Sequence, residues 1–268
     1  MYPPQRIVCL TEETTETLYL LGEQHRIVGI SGYTVRPPQA RKEKPRVSAF
    51  ISADIPKILA LEPDLVLTFS DLQADIVAAL IRAGVCVHAF NQRTVAGILD
   101  MIRVIGALVG AAQRADALAE RLAANLESTR RRSAAHRERP KVYFEEWDEP
   151  MISGIAWVSE LIAIAGGIDV FPELAGCKSA KERITTPQAV IARAPDIIVG
   201  SWCGKKFNKE KVAARPGFDA IPAVRERKLY EIKSALILQP GPAALTDGLA
   251  ALEHIIRGEP EAAIARHS

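Results

Sequence analysis

The stretch IPKILALEPDLVLTF, residues 55–69, joins a short helical pattern to an apolar run through Pro63. Proline interrupts a helix and pushes the residue before it toward extended backbone, so the helix must end there and a strand follow. PQAVIARAPDIIVGSW, residues 187–202, repeats the device with Pro195 in the place of Pro63. A second matched pair, ETLYLLG (16–22) and ELIAIAG (160–166), stands in the same order. Two related α/β halves follow from this internal repeat.

The rest of the chain carries the same alternation. RIVCL, RIVGIS, DLVLTF, VCVHAF, KVYFEE, DIIVG and KLYEI are short apolar runs separated by helical patterns. That order predicts βαβ units with parallel strands. Gly22 and Gly84 sit where helices would close in a left-handed residue. Thr186 and Pro187 read as the cap and first turn of a helix. Between the halves, Ala115, Leu118, Ala119, Leu122 and Leu126 share one helical face. A helix over 111–138 would span roughly 40 Å. The expected fold is α/β: two Rossmann-like lobes with parallel central sheets, joined by one long rigid helix. The boundaries are 1–110, 111–138 and 139–268, and GEPEAAIARHS (258–268) has the composition of an unpacked tail.

With 268 residues and a net charge of +2, no whole-molecule field points to nucleic acid. No apolar run reaches the roughly 18 residues that membrane insertion needs. The start, MYPPQRIVCL, lacks a basic, apolar and small-residue leader, which predicts a cytoplasmic protein. The alternative is a periplasmic protein whose signal peptide was removed and Met1 added. Cys9 and Cys86 lie in strand patterns and are expected to be buried. Cys177 and Cys203 lie in polar loops, where pairing, metal ligation and free thiols all stay open. The histidines at 25, 88, 136, 254 and 267 show no metal-ligand spacing, so no metal site and no cofactor are expected.

In open parallel sheets ligands bind beyond the carboxyl ends of the strands. Those positions carry Tyr33, Phe50, Phe69, Trp147, Met151, Trp157, Trp202 and Cys203. Flat aromatic side chains bury much ligand area with little flexibility, so these eight form the expected small-molecule site. Glu145, Glu146, Asp148, Glu149, Lys178, Lys181, Arg183, Lys205 and Lys206 read as its solvated rim; any that face inward would suit a ligand with an anionic group and amide or amine functions. No acid–base or Cys–His pair points to catalysis. A cysteine-dependent or chelatase-like enzyme, built on Cys203 near Lys205 and Lys206, is the alternative.

SGYTVRPPQA (31–40), ADIPKILALEPDLVLTF (53–69), SGIAWVSELIAIAGG (153–167) and TPQAVIARAPDIIVGSW (186–202) resemble the class III periplasmic substrate-binding proteins of ABC importers. The likeness is to the cobalamin-binding, vitamin-uptake type and spans nearly the whole chain. It implies a non-catalytic protein that clamps a ligand between two lobes. Members bind corrinoids, haem or ferric siderophores, and here a corrinoid or similar metal-tetrapyrrole is the implied ligand. It also implies that Tyr33, Phe50, Phe69 and Met151 line the ligand cleft, with Phe50 and Phe69 in place of tryptophans. Importer-serving members present one glutamate per lobe to the membrane subunits. This sequence has Pro56 and Gln188 there, which argues for a cytoplasmic binding protein that does not dock on a transporter.

Overall fold

In a computed structural model, which describes residues 2–135 and 138–258, the chain divides into two compact units. The first is Met1–Gln92 with Ala96–Leu122; the second is Arg93–Val95 with Ala123–Ser268. The Ala112–Ala134 helix supplies residues to both units. It begins and ends inside the expected span, of which residues 136 and 137 lie outside the described residues. So do residues 259–268, and with them the expectation of an unpacked tail.

The first unit holds β1 (Ile7–Cys9), β2 (Ile27–Ser31), β3 (Arg46–Ser48), β4 (Leu65–Phe69) and β5 (Val87–Phe90), in the order β3-β2-β1-β4-β5. Every pairing is parallel. All three residues of β1 and all five of β4 are buried, as continuous apolar strands covered on both faces must be. Burial pushes the Cys9 thiol up to about 12. Cys86 corrects the expectation made for it and is exposed. It immediately precedes β5, an edge strand whose Ala89 is also uncovered. Gly22 and Gly84 do take left-handed backbone, with φ of 73° and 81°.

The second unit has the order β10-β9-β6-β7, formed by β6 (Lys141–Asp148), β7 (Met151–Ser153), β9 (Ile197–Gly200) and β10 (Leu229–Glu231). The two-residue β8 (Ile168–Asp169) pairs with the start of β6. This sheet is mixed, not wholly parallel: β6 runs on past Glu146 and turns back as antiparallel β7. Trp147 and Met151 therefore lie in strands, where loops were expected. The Met151 carbonyl accepts a hydrogen bond from the Thr185 amide (2.9 Å), so the chain around Ile184 protects the outer edge of β7.

The repeated halves start their helices alike. Asp54 accepts from the Lys57 amide (3.0 Å) and Thr186 from the Ala189 amide (3.2 Å), each with a proline in the first turn.

The Glu12–Leu20 helix buries Glu12, Glu13 and Glu16 at the carboxyl end of β1. Glu16 pairs with Arg36 (2.9 Å), and Glu12 accepts weakly from the Val35 amide (3.4 Å). Glu13 accepts from the Thr11 hydroxyl (2.6 Å), while its second carboxyl oxygen has no hydrogen-bond partner among the described residues. Burial pushes Glu13 up to about 7 and Glu12 to about 8, aided in both by neighbouring carboxylates. A folded-state value above the unfolded one means that native Glu13 holds its proton more tightly. Stability is then full below about pH 4.5 and falls as pH rises toward 7. Glu13→Gln, neutral at every pH, should match the wild type near pH 3.5. At pH 9 it should be more stable by roughly 3 kcal/mol, measured by urea unfolding at both pH values.

Candidate functional site

Gly200 closes β9, and its lack of a side chain is required: a Cβ there would lie 1.8 Å from the Phe207 ring. Phe207 packs edge-on against Trp202, with ring centroids 5.0 Å apart. The Trp202 indole N–H donates to the Glu145 carboxylate (3.2 Å). Glu145, which has no exposed surface, also accepts from the Tyr143 hydroxyl (3.0 Å) and from both arms of the Arg215 guanidinium (2.6 and 2.9 Å). A charge so buried persists only with such partners. Burial, reinforced by the adjacent Glu145 charge, holds the Tyr143 phenol well above its usual range.

Two further carboxylates near the end of β6 behave alike. Asp148 is buried and bonded by Lys205 and Lys211. Burial alone would raise its carboxyl; the two lysine hydrogen bonds outweigh that and hold it below the usual range. The Lys205 ammonium also lies 4.1 Å from the Trp147 ring centre and 5.0 Å from that of Trp202. Glu146 takes both arms of Arg183 (2.5 and 3.2 Å), itself a buried residue that also donates to the Ser153 carbonyl. Glu145, Glu146, Asp148 and Arg183 thus correct the reading of a solvated rim. They turn inward and pair, while Cys203, Lys206 and Glu149 stay exposed.

The eight expected site residues divide by place. In the second unit Met151 and Trp202 share one buried cluster, with half-buried Trp147 packed against it. Trp157 is in no strand-end loop: it begins the Ala156–Ile164 helix, buried, and donates to the Ile237 carbonyl (2.8 Å). Both Trp157 and Trp202 therefore have packing roles inside their unit. None of the four cysteines, Cys177 and Cys203 included, is in a disulfide.

In the first unit Tyr33 is 56% exposed on a loop whose next residues are held by Glu12 and Glu16. Phe50 is half-buried and Phe69 buried. Gln73 links them: its side-chain oxygen accepts from the Phe69 amide (3.0 Å) and its nitrogen donates to the Phe50 carbonyl (2.8 Å). Gln73, Arg215, Ile51 and Leu72 went unnoticed in the sequence. Ile51 and Leu72 did carry a signal, as large aliphatic residues among the small and polar ones that follow strands in SAFISAD and FSDLQAD. Among the described residues no three His, Cys, Asp or Glu side chains are placed to hold a metal ion. Among the same residues no helix is long and apolar enough to cross a membrane.

Arg215→Met should cost about 3–5 kcal/mol of unfolding free energy, because it leaves Glu145 charged, buried and short of its main partner. Adding Glu145→Leu should recover most of that loss, since an apolar pair carries no stranded charge. Urea denaturation of both variants checks the sign of the recovery. Trp202→Ala should cost about 3–5 kcal/mol as a core truncation.

The periplasmic binding protein family matches residues 7–236, from β1 through β10. A vitamin B12-binding protein of Vibrio cholerae serotype O1 (strain ATCC 39541 / Classical Ogawa 395 / O395) is 27% identical over 208 residues, 75% of this chain and 71% of that protein. The uncharacterized ABC transporter substrate-binding lipoprotein YvrC of Bacillus subtilis (strain 168) is 25% identical over 248 residues, 89% of this chain and 76% of its own. Among solved structures, the periplasmic heme-binding protein RhuT from Roseiflexus sp. RS-1 superposes with a TM-score of 0.80 at 25% identity, over 94% of this chain and 99% of that one. The chain belongs to the periplasmic binding protein family, as a substrate-binding protein and not an enzyme.

Proposed function

We propose that the protein is the receptor of an ABC importer and captures a metal-tetrapyrrole, a corrinoid first of all. The observation that carries this reading is the apolar and aromatic character of the strand ends. Tyr33, Ile51 and Leu72 are exposed and Phe50 half-buried in the first unit, with half-buried Trp147 in the second. Such groups suit a broad, flat ligand. The relatives named for vitamin B12 and for heme support the class. A corrinoid is favoured over haem because the cations beside Trp147 and Trp202 are engaged by the protein's own carboxylates. The carboxylates of haem would have to compete for them, whereas the amide-rich rim of a corrinoid would not.

The relative named as an ABC transporter lipoprotein supports action outside the cytoplasm. A second reading, a cytoplasmic carrier that does not dock, is favoured by one observation. Pro56 and Gln188 are exposed in the first turns of their helices, where they offer no charge to a membrane subunit. Docking in the first reading then relies on other contacts.

Titration of the purified protein with cobinamide, cyanocobalamin and hemin, followed by absorbance and calorimetry, tests the ligand. One-to-one corrinoid binding below about 1 μM, roughly 8 kcal/mol, with weaker hemin binding is the expected result. Tight hemin and absent corrinoid binding would reverse the preference, and no binding to any of the three would end the reading. Phe50→Ala should weaken corrinoid binding about tenfold with little change in unfolding midpoint.

A further inference from the structure

The strand order β3-β2-β1-β4-β5 places β1 beside β4, where the chain leaves the sheet in opposite directions. Open α/β sheets form their binding crevice at such a switch point. Gln73 fills it. Fully buried, it accepts from the Phe69 amide at the end of β4 and donates to the Leu10 carbonyl just beyond β1 (3.3 Å). The same nitrogen donates to the Phe50 carbonyl, in the loop that follows β3. One carboxamide thus holds three strand ends together, and satisfied buried polar groups of this kind fix a single arrangement.

Directly after Phe69, Ser70 has φ 66° and ψ 168°. This region belongs almost entirely to glycine, and other residues stay in it only when their surroundings impose it. Here they do. The Ser70 amide donates to the Phe90 carbonyl (2.8 Å), the Gln73 amide to the Ser70 carbonyl (3.2 Å), and the Leu72 amide to the Ser70 hydroxyl (3.3 Å). The strained turn raises Leu72, which is 60% exposed, while the Phe50 loop raises Ile51, 71% exposed. Two large apolar side chains are held in solvent on loops that Gln73 joins, and glycine, which would relax the turn, is not used.

We propose that Ser70 and Gln73 are positioning residues that preset the Phe50–Ile51 and Leu72 loops as one apolar contact face for the ring of a tetrapyrrole. The proposal rests on the ligand class argued above. Fixing the loops before the ligand arrives removes an ordering cost from binding, so relaxing them lowers affinity even where it helps the fold.

Ser70→Gly separates these roles. It should raise the melting temperature by relieving the turn, yet weaken cobinamide binding about fivefold or more through a faster dissociation rate. A melting temperature that rises with affinity unchanged would overturn the proposal. Gln73→Met, similar in volume but without the amide, should weaken binding about tenfold. A readout without ligand accompanies both variants. Protein labelled with 4-fluorophenylalanine gives fluorine resonances for Phe50 and Phe69, assigned through Phe50→Leu and Phe69→Leu. Both resonances should broaden or shift in Ser70→Gly and in Gln73→Met, and unaltered lines would refute the positioning role. Should the wild type bind no tetrapyrrole, the receptor reading fails, while the fluorine spectra still decide whether these two residues set the loops.

Discussion

A carboxylate without exposed surface, Glu145, organises the second unit. It lies in β6, and its three partners come from separate places: Tyr143 two residues back, Trp202 beyond β9, and Arg215 past the following helix. Removing any donor strands charge in a low-dielectric interior, where a broken buried pair costs more than an intact one contributes. The loop from Ser201 to Arg215 is thereby tied to β6 at both ends. Phe207 can then press on Gly200, and Lys205 can reach Asp148 and lie against two indoles. What opens as a hydrophobic strand and breaks into tryptophan, thiol and lysines is a loop folded back on its own sheet.

That architecture shows how far the sequence can be read. Helix–strand alternation, Pro63 and Pro195, and the cap at Thr186 were legible because they depend on neighbours along the chain. The charge pairs were not. Arg183, Lys205, Lys211 and Arg215 are remote in sequence from the carboxylates they meet, so EEWDEP looked like a solvated rim. The same stretch hid the true length of β6, since polar residues suggest that a strand has ended; here burial of Asp148 between two lysines lets it continue. Trp157 stands where a helical pattern starts, and its burial was not legible because the carbonyl its indole meets, at Ile237, is 80 residues away in sequence. Gln73 offers no local pattern, as a single amide becomes structural only when three strand ends converge on it.

The two units meet the cost of burying carboxylates in opposite ways. Around Glu145, Glu146 and Asp148 the chain supplies arginine or lysine to each, and the lysine hydrogen bonds hold the Asp148 carboxyl below its usual range despite burial. Glu13 receives one threonine hydroxyl and Glu12 one weak backbone contact, while the Arg36 guanidinium pairs with Glu16. Hydroxyls and amides cannot offset desolvation of a full charge, so protonation becomes the less costly state. Proximity of acids therefore predicts neither outcome. The number of cations that the fold brings within hydrogen-bond reach decides it.

A binding protein must also keep apolar side chains in water until a ligand covers them. Left mobile, such loops would collapse onto each other and have to be reordered at each encounter, and the affinity would fall by that ordering cost. Rigid support from below is the physical answer, and it has to be polar, because backbone groups at strand ends lack ladder partners. Gln73 and the Ser70 turn satisfy those groups beneath Phe50, Ile51 and Leu72. In the second unit side-chain contacts take that part: Glu145 holds the buried Trp202 indole, and Asp148 holds Lys205 against the Trp147 ring. The polar groups in these arrangements find their partners within their own unit, so on the proposed reading the exposed aromatic and aliphatic surface would recognise shape more than charge. On the proposed reading, breadth and flatness are the first criterion of a ligand and the chemistry at its rim the finer one.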